Sequence, residues 1–181
     1  MIEELINPKT EEYKSLKEVI FSQDFPWYWN HDSVKDTNGD DYEDMIPFFN
    51  HTLIKRPLDP PDYPIYPKVN SGYADIVGLV VKQIMQVNEI KLNCVYRASF
   101  NLTLPLVKHK KIRAHVDHYF PHKNLLIYLN DSDGDTVLCD DDDNDIDYSK
   151  PQEDKIILFE GRHYHYLPEI SRRLIFICTF I

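Results

Sequence analysis

The residues best suited to do chemistry lie in two short histidine-containing segments. In His115-Val116-Asp117 an imidazole and a carboxylate are two residues apart, and on an extended backbone residues i and i+2 point to the same side. The second segment, nearer the C-terminus, contains His163 and His165, which share that alternation. One of these with His115 and Asp117 would give two imidazoles and one carboxylate around a metal ion. Such a ligand set is typical of non-haem Fe(II) in enzymes that use O2.

The His115-Val116-Asp117 pattern is weak when taken alone, since a plain hydrogen-bonded His-Asp pair would leave the same trace. Its context strengthens the metal interpretation. A strand with one polar face is predicted before it, and Arg172 and Arg173 follow the second histidine segment.

The segments that would position these residues alternate with a period of two from Lys91 onward. Apolar side chains between Leu92 and Leu104 alternate with polar ones, which predicts a long strand whose polar face carries Arg97 and Asn101. Asp and Gly at 130–135 predict a turn, and 140–147 is interpreted as a solvated acidic loop. Further strands are predicted at 125–130, 136–139, 155–159 and 173–180.

The first half of the chain predicts two amphipathic helices, over 10–21 and 73–87, with apolar residues at helical spacing. The proline-rich residues 31–72 predict an irregular or extended but ordered region. Two helices followed by a run of short strands indicate an α+β chain whose main body is a β-sandwich or barrel. We expect one domain over 1–181, with 1–90 as a helical and loop support region and 91–181 as the β core carrying the site.

Composition limits the classes of partner. The formal net charge is −10, from 20 Lys and Arg against 30 Asp and Glu, so a nucleic-acid partner is not expected, although Lys108, Lys110, Lys111 and Arg113 could form a local basic groove. Three cysteines without a CxxC pattern predict a reducing cytoplasm. An acidic N-terminus without an apolar signal region, and the lack of any long apolar run, predict no export and no membrane span.

Four stretches in a fixed order carry a resemblance to a known family. They are Ala114-His115-Val116-Asp117, then Leu126-Ile127-Tyr128-Leu129-Asn130, then Leu158-Phe159-Glu160-Gly161 before His165, then Arg173-Leu174-Ile175-Phe176-Ile177. Together they resemble the Fe(II)/2-oxoglutarate-dependent oxygenases, above all the prolyl-4-hydroxylase-like branch with its small bacteriophage versions. The resemblance covers about Arg97 to the C-terminus. It implies a double-stranded β-helix, a jelly-roll or cupin-like barrel flanked by N-terminal helices.

The resemblance also implies a reaction. The chain would be a dioxygenase, an oxidoreductase that uses Fe(II), O2 and 2-oxoglutarate as cosubstrate, hydroxylates its substrate and releases succinate and CO2. A protein or peptide is the favoured substrate, with a side chain such as proline as target. A host cytoplasm would be the location of a phage version.

Residue roles follow from the same resemblance. His115, Asp117 and His165 would be the catalytic metal ligands. Arg173 would pair with the distal carboxylate of 2-oxoglutarate, and the Tyr128 hydroxyl would help to hold it. Arg97 and Asn101 would line the cosubstrate pocket, an assignment that rests mainly on alternation.

Two assignments stay open between neighbours. His163 competes with His165 as the third ligand; His165 lies about two residues closer to Arg173 than is common in the family, while counting from Phe159-Glu160-Gly161 favours it. Arg172 competes with Arg173, since alternation lets only one point inward. A non-catalytic jelly-roll binding module and a metal-dependent cupin enzyme are the alternative functions. A binding module has no use for the whole ordered set, and cupins draw more histidines from a different pattern and need no terminal arginine.

Overall fold

Two antiparallel sheets form the frame of the protein, in a computed structural model that describes residues 1–31, 46–56, 67–105 and 111–181. In chain order the elements are β1 (Glu3–Leu5), α1 (Glu11–Phe21), β2 (Tyr28–Asn30), β3 (Phe48–Lys55), β4 (Lys68–Val69), α2 (Ala74–Val87), β5 (Val95–Thr103), β6 (Lys123–Tyr128), β7 (Thr136–Cys139), β8 (Asp145–Ser149), β9 (Ile156–Phe159), β10 (His163–His165) and β11 (Arg173–Phe180). The larger sheet has the order β1-β9-β6-β11-β5-β3-β2, with β4 paired to β3, and the smaller has the order β10-β7-β8. This arrangement confirms the predicted jelly-roll-like α+β fold.

Strict alternation along β6 and β11 separates two apolar layers. Leu125 and Ile127 of β6 pack with Phe176 of β11 against the helices, in the main core. Leu126 and Ile177, one residue along, pack between the two sheets instead, together with Leu138 of β7. The inner face of the large sheet is therefore the face on which a site between the sheets must be built.

Both predicted helices are confirmed. The Thr10 hydroxyl accepts a hydrogen bond from the Tyr13 amide and caps α1, and Tyr13, Leu16 and Ile20 form its buried face. Among the described residues, neither helix has the length and apolar character needed to cross a bilayer.

The structure corrects two sequence interpretations. The region 31–72 is not all irregular, because β3 is a full strand that pairs with β5 inside the large sheet. The stretch 140–147 is not only a loop, since Asp145 begins β8, which pairs with β7. In both segments prolines or acidic side chains next to the strand hide a short period-two signal. Lys108 and Lys110, of the expected basic groove, lie outside the described residues.

Asp154 connects α1 to the turn before β9. Its carboxylate accepts hydrogen bonds from the Tyr13 hydroxyl (2.7 Å) and from Lys17 Nζ (2.7 Å), and Lys9 Nζ lies 3.1 Å from its other oxygen. Burial alone would raise the pKa of this carboxyl, but the hydrogen bonds from Lys17 and Tyr13 hold it below its usual value. An ionised carboxylate therefore links α1 to the turn before β9.

Replacing Asp154 with Asn should lower the free energy of unfolding at neutral pH by about 1–3 kcal/mol, because charge-assisted hydrogen bonds are lost. A carboxyl whose pKa is lowered by folding stabilises above its unfolded pKa of about 4, and this contribution is lost as pH falls through the folded pKa. Urea unfolding should therefore show a wild-type advantage that shrinks under strongly acidic conditions. Glu153→Gln, which alters an exposed partner of the same lysine, is the control and should have less than half the effect. Equal stability of Asp154→Asn and wild type would contradict this role.

Candidate active site

His115 and His163 lie directly opposite each other on neighbouring extended segments. The His115 amide donates to the His163 carbonyl at 2.9 Å, and the His163 amide donates back to the His115 carbonyl at 2.9 Å. Their ring centroids are 4.6 Å apart. Because residues paired this way present their side chains on one face, both imidazoles point into the same space between the sheets.

Asp117 completes a group of three potential metal ligands. One ligand atom from each of His115, Asp117 and His163 lies within 4.8 Å of the others, and Asp117 Oδ2 is 3.6 Å from His163 Nε2. The other oxygen, Oδ1, accepts from Arg97 Nη1 at 2.6 Å and from Arg56 Nη2 at 2.8 Å. Two guanidinium groups thus hold the carboxylate so that its second oxygen faces the histidines.

The protonation states of this group suit a cation. Burial lowers the pKa of His115 to about 4, and His163 adds to the effect; burial also lowers the pKa of His163. Burial would raise the pKa of Asp117, but Arg97 above all, then the two histidines and Arg56, bring it far below its usual value. At neutral pH the group therefore offers two neutral imidazoles and one carboxylate, the forms that bind a metal.

His165 is not a member of this group. It faces the same interior as His163 by alternation along β10, but it pairs with Thr136 at the far end of the strand, and its Nδ1 donates to the Tyr166 carbonyl at 3.0 Å. Burial and the nearby Arg173 hold the pKa of His165 well below its usual value. The geometry thus favours His163, the alternative to the expected ligand His165. His163 lies two residues farther from Arg173 than His165 does, so with His163 as the ligand the departure from the common family spacing disappears.

Arg173 is buried between the sheets at the other end of the interior. It is 2% exposed, its Nε donates to the Gly134 carbonyl at 2.9 Å, and its Nη2 donates to Thr136 Oγ1 at 2.8 Å. The Tyr128 hydroxyl also donates to Thr136 Oγ1, at 2.8 Å. Within the described part of the chain no carboxylate forms an ion pair with Arg173. Arg172 lies outside, with its guanidinium over the Phe21 ring.

The space around Arg173 is tightly built. A Cβ added at Gly134 would come within 2.6 Å of the Tyr166 carbonyl oxygen and 3.0 Å of Arg173 Cδ. Only glycine fits there without a shift of the backbone. A buried positive charge in a fixed position is costly unless an anion meets it.

Arg97 and Asn101, the other predicted pocket residues, lie on the inner face of β5. Arg97 donates to Asp117 and so lies next to the three potential metal ligands. Asn101 pairs with Ile175 of β11 and with Asn50 of β3, and its Oδ1 accepts from the Ser99 hydroxyl at 3.1 Å. The predicted polar face of this strand is confirmed, but Arg97 and Asn101 lie in different surroundings.

Three residues in or next to the interior were missed from the sequence. Arg56 lies on a segment that was interpreted as irregular, and Thr136 is one of many threonines, so neither carried a signal. Asn124 did carry one, since it precedes Leu126 and Tyr128 at period two on the inner face of β6. Its side chain is fully buried, and neither amide atom has a hydrogen-bond partner among the described residues.

Asn124 and Arg173 together indicate where a polar ligand fits. Asn124 pairs with Phe159 of β9, whose ring is 5.0 Å from that of His163. Buried polar groups without partners are rare, and water or a ligand commonly satisfies them. The donor set at one end suits Fe(II), and the arginine at the other end suits a carboxylate of an elongated anion.

Comparisons with known proteins bear on the fold. No protein-family model and no curated protein matches the chain. Among solved structures it is similar to an oxidoreductase of the 2OG-Fe(II) oxygenase family from Burkholderia pseudomallei, with a TM-score of 0.63 at 12% identity, over 86% of this chain and 72% of that one. The expected oxygenase-type fold is thereby confirmed.

Two further structures are similar at lower scores. A prolyl-4-hydroxylase from Pseudomonas putida is 16% identical with a TM-score of 0.45, over 75% of this chain and 69% of that one. A prolyl hydroxylase from Trichoplax adhaerens, in complex with a hypoxia inducible factor peptide fragment, is 12% identical with a TM-score of 0.45, over 59% of this chain and 55% of that one. None of the three is a phage protein, so the expected resemblance to small bacteriophage versions stays a prediction.

Alanine at His163 should abolish tight binding of Fe(II), whereas alanine at His165 should leave it within about threefold of wild type, because only His163 faces Asp117 and His115. Loss of a side chain that hydrogen-bonds a metal ligand typically lowers the metal affinity about 10–100-fold, and loss of one of the three ligands themselves should lower it further. Anaerobic equilibrium dialysis with Fe(II) measures both variants side by side. Tight binding by His163→Ala together with loss in His165→Ala would restore His165 as the ligand.

Proposed function

We propose that this protein is an Fe(II)- and 2-oxoglutarate-dependent dioxygenase that hydroxylates a protein or peptide side chain such as proline. The observation that carries the proposal is the two-ended interior. Two histidines and an aspartate lie at one end. A buried arginine, which has no carboxylate partner among the described residues, lies at the other. 2-Oxoglutarate has matching ends, a keto acid that chelates a metal and a distal carboxylate. The fold of an oxygenase-family structure supports the same conclusion.

At the metal end, His115, Asp117 and His163 would hold Fe(II) through two neutral nitrogens and one carboxylate oxygen. Three protein ligands leave positions open for other molecules. Fe(II) with 2-oxoglutarate supplies the oxidation of a C–H bond by O2, with release of succinate and CO2. Arg97 and Arg56 keep Asp117 ionised and fix its orientation, which is the work that neighbours of metal ligands do.

At the other end, Arg173 would receive the distal carboxylate with help from Thr136 and Tyr128. The Thr136 hydroxyl accepts from both Arg173 and Tyr128, so it holds the guanidinium and the phenol in fixed positions. His165, neutral and next to Thr136, would form the wall between the two ends without adding charge. The walls of Leu126, Ile175 and Ile177 exclude water and strengthen each polar contact.

The rival functions lack a comparable observation. A non-catalytic jelly-roll module would have no use for a buried arginine opposite a metal group. A cupin enzyme would use more histidines at the metal and would not need Arg173. Neither function accounts for both ends of the interior.

Arg173→Lys should weaken binding of 2-oxoglutarate by about tenfold or more, because an ammonium cannot donate the two parallel hydrogen bonds of a guanidinium. Binding of Fe(II) should remain within about twofold. Calorimetric titration of 2-oxoglutarate into the Mn(II)-loaded protein measures the affinity, and Arg172→Lys is the matched control. An unchanged affinity in Arg173→Lys with a loss in Arg172→Lys would transfer the role to Arg172.

The activity itself is tested by O2-dependent release of succinate from 2-oxoglutarate in the presence of Fe(II). Slow release by wild type alone, and faster release with peptide pools, is expected. His163→Ala should show neither. No succinate from a protein that binds both Fe(II) and 2-oxoglutarate, with every pool of peptides, nucleotides and metabolites, would contradict the proposed reaction.

A further inference from the structure

An open polar groove of about 420 Å³ adjoins the metal group on the inner face of β3 and β5. Arg97, which lines it, also donates to Asp117, so the groove begins where the proposed ligands end. The smaller sheet does not extend over this part of the large sheet, because its strands lie opposite β6, β9 and β11. Among the residues that the structure describes, the groove is therefore the open approach to the proposed oxidation site.

The charged residues of the groove are all cationic. Lys55, Arg56 and Arg97 line it, and its remaining described lining residues are a tyrosine and side chains with amide or hydroxyl groups. No Asp or Glu is among these lining residues, in a chain whose acidic residues outnumber its basic ones by 30 to 20. Asp117 compensates part of the charge of Arg56 and Arg97, and a net positive charge remains at this place among the described residues, against the overall balance.

Lys55 and Lys68 present an unusual pairing. They are directly opposite each other in the β3–β4 pair, and both side chains are exposed. Like charges at this position oppose each other, and neither lysine forms an ion pair with another described residue. An anion between them would remove the repulsion.

Alternation places both lysines on the groove side. Ile54 packs against the main core on the helix side, so Lys55, the next residue, lies on the inner face. Ile54 pairs with Ala98, which brings Lys55 next to Arg97 at this end of the sheet. Arg97, Lys55 and Lys68 therefore form a row across three neighbouring strands, with about 5 Å between strands.

We propose that this row is a subsite for an anionic group of the substrate, with Lys55 and Lys68 as the residues that select it. This inference rests on the proposed function, since it names the substrate class of the same site. The groove's amide and hydroxyl side chains suit the backbone of an extended peptide, so the anion is an acidic side chain of a polypeptide near the residue to be hydroxylated. A small carboxylate or phosphate compound presents the same chemistry.

The test uses full-length protein loaded anaerobically with Fe(II) and 2-oxoglutarate. Fluorescein-labelled peptides of equal length carry one proline flanked by glutamates, or by glutamines in the matched version. Fluorescence anisotropy should show wild type binding the glutamate peptide about tenfold more tightly than the glutamine peptide, with a preference that shrinks as salt is added. In the double variant Lys55→Glu, Lys68→Glu the preference should vanish or reverse. Lys82→Glu, an exposed change on α2 away from the groove, should retain it.

A second arm distinguishes the source of the anion. Inorganic phosphate and free glutamate are titrated as competitors against wild type and the double variant. If these anions displace the labelled peptide from wild type but not from the double variant, and neither peptide is preferred, the result supports the subsite and assigns it to small anions. Equal binding of both peptides with no lysine-dependent competition, or a glutamate preference that survives charge reversal, overturns the proposal.

The outcome is separable from that of the proposed function. The double variant contains all the proposed metal and cosubstrate residues, so its affinities for Fe(II) and 2-oxoglutarate should equal those of wild type. If wild type binds neither Fe(II) nor 2-oxoglutarate but still prefers the glutamate peptide, the proposed oxidation fails and the subsite stands. If wild type binds both Fe(II) and 2-oxoglutarate, but shows neither the peptide preference nor the lysine-dependent competition, the subsite alone fails.

Discussion

The reciprocal backbone pairing of His115 with His163 is the constraint on which the rest of the site depends. It joins a segment that precedes β6 to a strand of the smaller sheet, far apart in the sequence, and it fixes two imidazoles on one face. Asp117 reaches the same space because it follows His115 by two residues. A shift of this pairing by one residue would turn a histidine to the other face of the strand, so the register itself specifies which residues form the candidate ligand set.

The electrostatics of the interior follow from burial around that pairing. Burial keeps the imidazoles neutral, while Arg97 and Arg56 keep Asp117 ionised on its far side. Arg173 is held in a cradle of neutral acceptors, the Gly134 carbonyl and the Thr136 hydroxyl, which orient the guanidinium without neutralising it. Positive charge is therefore preorganised at one end of the interior, and the group of three potential metal ligands lies at the other. Preorganised groups need no rearrangement when a ligand enters, which favours tight and specific binding.

Much of this could be predicted from the sequence because periodicity reports burial directly. The helices and the alternation of β5 follow from patterns of 3.6 and 2 residues, whereas the role of Tyr128 was expected from the family resemblance alone. His163 and His165 share one strand face, and periodicity cannot rank two residues on the same face; only the pairing partner of each strand residue decides, and this is a property of tertiary structure. Arg56 escaped detection for a related reason, since it follows a short strand whose signal is obscured by the prolines on either side of it. The like-charged pairing of Lys55 with Lys68 is invisible until the register of β3 and β4 is known.

The central claim is that one interior holds a metal through His115, Asp117 and His163 and binds 2-oxoglutarate to that metal. The most direct measurement is visible spectroscopy of the protein titrated anaerobically with Fe(II) and then with 2-oxoglutarate. A weak charge-transfer band that appears only with both, and that persists in His165→Ala but is missing in His163→Ala, is the predicted result. Wild-type protein that binds Fe(II) and 2-oxoglutarate without developing the band would contradict the claim, because the two would then occupy separate sites.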